Sequence, residues 1–149
     1  MPKLAIYVQI ATELANAPAK SQFKKWAKAA LRVDTEVTIR VVDAQEALEL
    51  NSQYRGKDYA TNVLTFVLTE TPVLMGDIII CAPVVTTEAS AQGIDLMAHY
   101  AHLTVHGMLH LSGFDHENEY QAELMEGLEV QILAKLGYAN PYLITEDAA

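Results

Sequence analysis

The eleven residues 106–116, HGMLHLSGFDH, constrain this chain more tightly than any other stretch. Three of its five histidines sit here, at positions 106, 110 and 116, in a run that otherwise reads as an apolar helix. Residues four apart lie on one face of an α-helix, so His106 and His110 can offer two imidazoles to one metal ion. Gly113 lets the chain leave the helix and turn, and His116, three residues on, brings a third imidazole from another direction.

Three neutral nitrogen ligands leave one position of a tetrahedral zinc ion open, the layout of a reactive site and not of a closed structural one. The spacing H-x-x-x-H-x-x-G-x-x-H is also that of the metzincin zinc proteases, but there a glutamate follows the first histidine and serves as general base. Here that position is Gly107, so the peptidase base is missing. A mid-helix glycine costs about 1 kcal/mol relative to alanine, which leaves two reasons for its presence: room beside the metal for a bulky substrate, or a close contact with a packed neighbour. His102 and His99 extend the row upstream. At about 1.5 Å of rise per residue, His102 and His110 lie roughly 12 Å apart along the axis, too far to share an ion. Gly113 and His116 therefore select the 106/110 pair, leaving His102 beside the site or simply packed, and His99 outside it. The plain alternative, core or surface histidines with accidental spacing, needs three side chains and a helix-ending glycine to coincide.

The periodicities around this helix predict an α+β domain. KLAIYVQI, EVTIRVV, NVLTFVLT and GDIIICA alternate or run in β-forming residues and read as four strands, with Pro72 and Gly76 in the turn between the last two. Helical patterns fill the rest. They cover about 18–31, with Trp26 and Leu31 on an apolar stripe, and about 44–54, where Asp43 and Glu46 are placed to form a capping pair. A short helix follows Pro83 and ends at Gly93; the next spans about 94–111, closed by Gly113; the last spans about 117–136, closed by Gly137 and followed by Pro141. The order β-α-β-α-β-β-α-α-α implies a small mixed sheet of about four strands packed with about five helices, the histidine-bearing one zincin-like. With 51% apolar residues and no repeat or linker, residues 1–149 are expected to form a single domain.

Cys81 is the lone cysteine, which excludes an internal disulfide and fits a small buried hydrophobe in a reducing compartment. The start MPKLAIYVQIATEL lacks a signal-peptide pattern, and no apolar run approaches the roughly 20 residues a membrane span needs, so a cytoplasmic protein without a membrane partner is expected. The net charge of −9 argues against a polyanionic partner until its distribution is considered. Residues 1–57 hold nine Lys/Arg against six Asp/Glu, whereas 58–149 hold one against thirteen. The cations gather in KSQFKKWAKAALR (Lys20, Lys24, Lys25, Lys28, Arg32) and in YRGKDY (Arg55, Lys57), leaving room for a local basic surface or, more plainly, a solvated helix face.

On its motifs the chain resembles the YbeY family, bacterial rRNA maturation factors described as metal-dependent single-strand endoribonucleases. HGMLHLSGFDH is similar to the family signature HGxLHLxGYDH, with Phe114 in place of the usual tyrosine. YRGKDYATNVLTF resembles YRxKDxPTDVLSF, MGDIIIC resembles LGDIxIS, and LGYANPY resembles LGYxxPY, so the likeness covers most of the chain. Ala60, Asn62 and Thr65 depart from the usual proline, aspartate and serine, which bears on loop geometry and on any part a carboxylate would play at position 62. The resemblance implies that His106, His110 and His116 hold one zinc ion per chain and that Arg55 and His110 are catalytic. It also implies a single-stranded rRNA substrate, met on a ribosome or small-subunit precursor during rRNA end processing and ribosome quality control. The sequence leaves the oligomeric state open, with a monomer favoured. Arg55 suits that chemistry, because cleaving a phosphodiester builds charge on oxygens that a guanidinium can grip two at a time. Without the resemblance it reads equally as a surface arginine complementing a helix dipole.

Two other functions fit the residues. One is a metal-dependent hydrolase of a peptide or small ester, against which Gly107 speaks. The other is a non-catalytic ribosome-assembly factor whose metal pins the C-terminal helices together, since no general base is evident. Asp115 reads as a residue behind the metal ligands or in the turn before it reads as a base, and Asp77 in GDI is a weak candidate.

Overall fold

The computed structural model describes residues 1–143; the expected domain runs on to 149, and residues 144–149 lie outside the described residues. The described elements follow the expected order: β1 (Leu4–Ala11), α1 (Lys20–Ala29), β2 (Thr35–Val42), α2 (Ala44–Arg55), β3 (Val63–Thr69), β4 (Leu74–Cys81), α3 (Ala82–Gln92), α4 (Leu96–Leu111) and α5 (Glu119–Lys135). The fold is α+β, a four-stranded mixed sheet in the order β1-β2-β4-β3. β1, β2 and β4 run parallel, joined by helical crossovers, while β3 pairs antiparallel with β4 and forms an edge of the sheet among the described residues.

Strand alternation decides which helices cover which face. Val37, Ile39 and Val41 of β2 and Ile78 and Ile80 of β4 turn to the face packed by α1 and α4. Val42, Leu64, Ile79 and Cys81 form a smaller cluster with Ala47 and Leu50 of α2. At about 1.5–3 kcal/mol per buried aliphatic or aromatic side chain, the first face supplies most of the driving force. Phe23 meets Trp26 and Tyr100 edge to face, with ring centres 5.6 and 6.1 Å apart, which locks α1 onto α4. Trp26 is buried and Leu31 half-buried against the same core, as their stripe predicts.

α4 is enclosed by the sheet, α1, α3 and α5. Between 99 and 111 only His102, His106 and His110 escape full burial. The i, i+4 spacing thus lines up along the one seam that its neighbours leave open.

The structure decides one open alternative and corrects two local expectations. Of the two reasons for Gly107, the close contact with a packed neighbour holds: a Cβ there would meet Ile78 of β4 at 3.0–3.3 Å, so the glycine lets α4 sit close on the sheet. Gly76 lies inside β4 and not in a turn, where a Cβ would strike Leu111 and the Phe66 carbonyl at 2.7 Å. Asp43 and Glu46 do not cap α2 as a pair. Asp43 accepts the Thr12 hydroxyl and, at 3.1 Å, the Glu13 N–H. Glu46 accepts two bonds from the Arg40 guanidinium at 2.6 and 2.9 Å, because β2 brings a fork-shaped donor to it.

Candidate metal centre

The end of α4 and the start of α5 build the site between them. Gly113 adopts φ +106°, which only glycine holds without strain, and Phe114 N–H closes the helix on the Leu109 carbonyl at 3.1 Å. The Asn118 side chain then caps α5 by accepting the Gln121 N–H at 2.9 Å. Held at both ends, the loop returns His116 to the helix it left. The ring centres of His106, His110 and His116 stand 6.0, 5.6 and 5.7 Å apart, a nearly equilateral triangle. Three imidazoles around one tetrahedral ion at about 2 Å bring their centres to roughly 5 Å, so the three rings stand near the separation that a shared ion needs. The ligand atoms that already lie within 4.8 Å of one another are those of His110, Asp115 and His116, a set that does not include His106. Asp115 accepts the His116 N–H at 2.7 Å, which holds its carboxyl below the usual range. Burial, followed by the proximity of His106, pushes the His110 pKa down and keeps its lone pair available for a metal.

One flank of the triangle is an open cleft. Arg55, Asn62, Val63 and Thr65 line it together with the three histidines, around about 240 Å³. Arg55 ends α2 and is exposed; it donates from Nη2 to the Thr65 carbonyl at 3.1 Å and lies 6.0 Å from the Phe66 ring centre. Gly56 follows in the left-handed region and turns the chain away after the guanidinium is placed. Asn62 donates to Glu88 Oε1 at 3.1 Å, a bond an ionised aspartate could not make.

The other flank is closed by a buried carboxylate. Glu129 of α5 is 1% exposed, with its Oε2 3.0 Å from His106 Nδ1 and its Oε1 2.6 Å from His102 Nε2. The Tyr142 hydroxyl donates to Oε1 at 2.5 Å. Burial alone would raise the Glu129 pKa, but the hydrogen bonds from His102, His106 and Tyr142 outweigh it and bring the value to about 2.

A family profile described as Endoribonuclease YbeY matches residues 7–137, a span that holds Arg55, the three histidines and Glu129. The Endoribonuclease YbeY of Methylobacillus flagellatus is 62% identical over 142 residues, covering 95% of each chain. That of Aromatoleum aromaticum is 55% identical over 143 residues, covering 94% of this chain and 93% of the relative. The chain belongs to the YbeY family. Among solved structures, the solution structure of a Thermotoga maritima protein superposes with a TM-score of 0.55 at 26% identity, over 90% of this chain and 97% of that one.

Within this YbeY fold the other residues singled out from sequence fall into place. Asp77 lines a separate cavity with Tyr54, Phe66 and Ile79, because strand alternation turns it away from α4. It is therefore no base for the histidine cleft. His99 is buried and bonded through Nε2 to Glu88 at 2.9 Å. Lys24, Lys25 and Lys28 are exposed on α1, and Arg32 just beyond that helix stacks 5.1 Å from the centre of Phe114, which lines the outer mouth of the cleft. Glu129 and Tyr142 were not foreseen from sequence. The available signal was that Met125, Glu129 and Leu133 form the buried stripe of α5, so a carboxylate occupies a position that periodicity assigns to an apolar residue.

Proposed function

We propose that this chain is a metal-dependent endoribonuclease that cuts single-stranded RNA in the cleft between β3 and α4, with His106, His110 and His116 holding one zinc ion. Membership of the YbeY family supplies the reaction class. The observation that carries the placement is that Arg55 and three convergent imidazoles line one solvent-open cleft. An all-nitrogen ligand set with an open position suits zinc better than ions that seek hard oxygen donors. When bound, such an ion supplies Lewis acidity toward a phosphoryl oxygen and lowers the pKa of water.

The protein's own groups do the rest. Arg55 is tethered by one N–H to the Thr65 carbonyl and keeps its remaining donors for a phosphate, whose developing charge they stabilise. His110, held neutral by burial, serves both ligation and the reacting edge of the cleft. The substrate proposed is rRNA at a small-subunit precursor, during end maturation and quality control, with a monomeric cytoplasmic domain spanning 1–149 as the working unit. Among the described residues no helix is long and apolar enough to cross a membrane.

A second ligand set, His110, Asp115 and His116, rests on the mutual proximity of their ligand atoms. Elemental analysis paired with cleavage of single-stranded RNA tests both. About one zinc per chain is expected in the wild type, with metal and cleavage lost together in His106→Ala, His110→Ala and His116→Ala but not in His102→Ala. Zinc kept by His106→Ala and lost from Asp115→Ala would establish the second set instead, and full cleavage by metal-free His110→Ala would end the metal-dependent reading.

A further inference from the structure

We propose that Glu129 is the positioning residue of this metal centre: its buried carboxylate sorts the imidazoles of α4, turning His106 toward the metal and withholding His102 from it. The proposal rests on His106 being a ligand. An ionised carboxylate only accepts hydrogen bonds, so every group bonded to it must be a donor. His106 meets Glu129 through Nδ1 at 3.0 Å and must carry its proton there, which leaves the Nε2 lone pair free on the other edge of the ring. His102 meets the same carboxylate through Nε2 at 2.6 Å and must carry its proton on that nitrogen instead. Two histidines one turn apart are thus locked into opposite tautomers by one acceptor. His102 presents no Nε2 lone pair, although its spacing from His106 would suit a ligand pair.

Tyr142 supplies the third donor, and it draws the segment after α5 into the centre. Glu129 could not be buried as a charge without such donors, since an unpaired carboxylate at 1% exposure is strongly destabilising. The arrangement is therefore mutual. The three donors keep the carboxylate ionised, and the ionised carboxylate keeps their protons where they are. A ligating imidazole bonded this way is also a more basic ligand, and removing such a partner typically weakens metal binding about 10–100-fold.

Glu129→Gln tests the idea with little change in volume, because a carboxamide can turn its NH₂ toward His106 Nδ1 and favour the tautomer with the proton on Nε2. Nitrogen-15 spectra of the imidazoles in metal-free protein read the tautomers directly, and chelator competition reads zinc affinity. Metal-free wild type should show His106 protonated on Nδ1 and His102 on Nε2. Glu129→Gln should move His106 toward the Nε2–H form and weaken zinc by about 10–100-fold, with Tyr142→Phe weakening it less. An Nε2–H His106 in metal-free wild type would overturn the proposal even if no variant folded. So would a Glu129→Gln protein that binds zinc within about threefold of wild type. His106→Ala, run in parallel, separates the two readings: unchanged zinc there removes His106 from the ligand set, whereas lost zinc there with unchanged Glu129→Gln removes only the role of Glu129.

Discussion

The two flanks of the histidine triangle solve opposite electrostatic problems. On the cleft side, Arg55 is exposed at the end of a helix, held among the described residues by one side-chain hydrogen bond to a carbonyl. On the closed side, Glu129 is buried and bound by three donors from two other parts of the chain. A cation in water costs little to hold and keeps its donors for a polyanion. A buried anion is stable only when its partners are fixed, and fixing them orders the ligands. On the proposed function, the first flank is used in turnover and the second is in place before it.

That division makes the effect of losing Arg55 the largest and the most selective. Arg55→Ala should lower RNA cleavage by about a hundredfold, the effect of removing one donor worth about 3 kcal/mol in the transition state, with zinc content and folding unchanged. Arg55→Lys should recover only part, because an ammonium lacks the planar fork. Single-turnover rates at saturating and subsaturating RNA check this, and an unchanged rate in Arg55→Ala would erase the functional half of the contrast.

The closed flank should show itself in acid. The folded pKa of Glu129 lies below its ordinary value of 4.5, at about 2, so its contribution is fully present above the ordinary value and is lost as pH falls through the folded one. Metal-free wild type should exceed Glu129→Gln in stability by about 3 kcal/mol at neutral pH, with the gap closing between roughly pH 4.5 and 2. Denaturant titrations across that range measure it, and a gap independent of pH would mean that folding does not lower the pKa of this carboxylate.

The smallest effect belongs to the rim. Arg32 stacked on Phe114 brings the end of α1 to the mouth of the cleft, with Lys24, Lys25 and Lys28 exposed behind it. Converting these three lysines to glutamate should weaken RNA affinity and make its salt dependence shallower, by about one counterion for each phosphate no longer neutralised, without changing metal content. A wild-type slope in the triple variant would leave Arg55, Arg32 and Lys57 as the cations facing the strand.

The element order was legible because each element carries its own period, and the histidine triangle because three imidazoles and a turn glycine fall within eleven residues. Gly107 shows where that legibility stops. From sequence the neighbour it packs against was open, and the structure supplies Ile78, a residue of β4 that only the sheet packing brings beneath α4. Asp77 makes the same point in reverse, as an acidic residue in a family motif that strand alternation turns away from the cleft.

What the sequence by itself determined about this protein is local: which segments form helices and strands, which imidazoles share a helical face, and where the chain turns back to add a third. These depend on spacings of a few residues and on backbone preferences that each segment carries alone. The tertiary structure decided what each histidine meets. Spacing already sets His106 and His110 apart from His102 through Gly113 and His116; what it lacks is Glu129, which α5 sets against His102 and His106 from 27 and 23 residues away in the chain. A carboxylate's effect on a tautomer acts over the length of a hydrogen bond, so no pattern along the chain could announce it before the helices met.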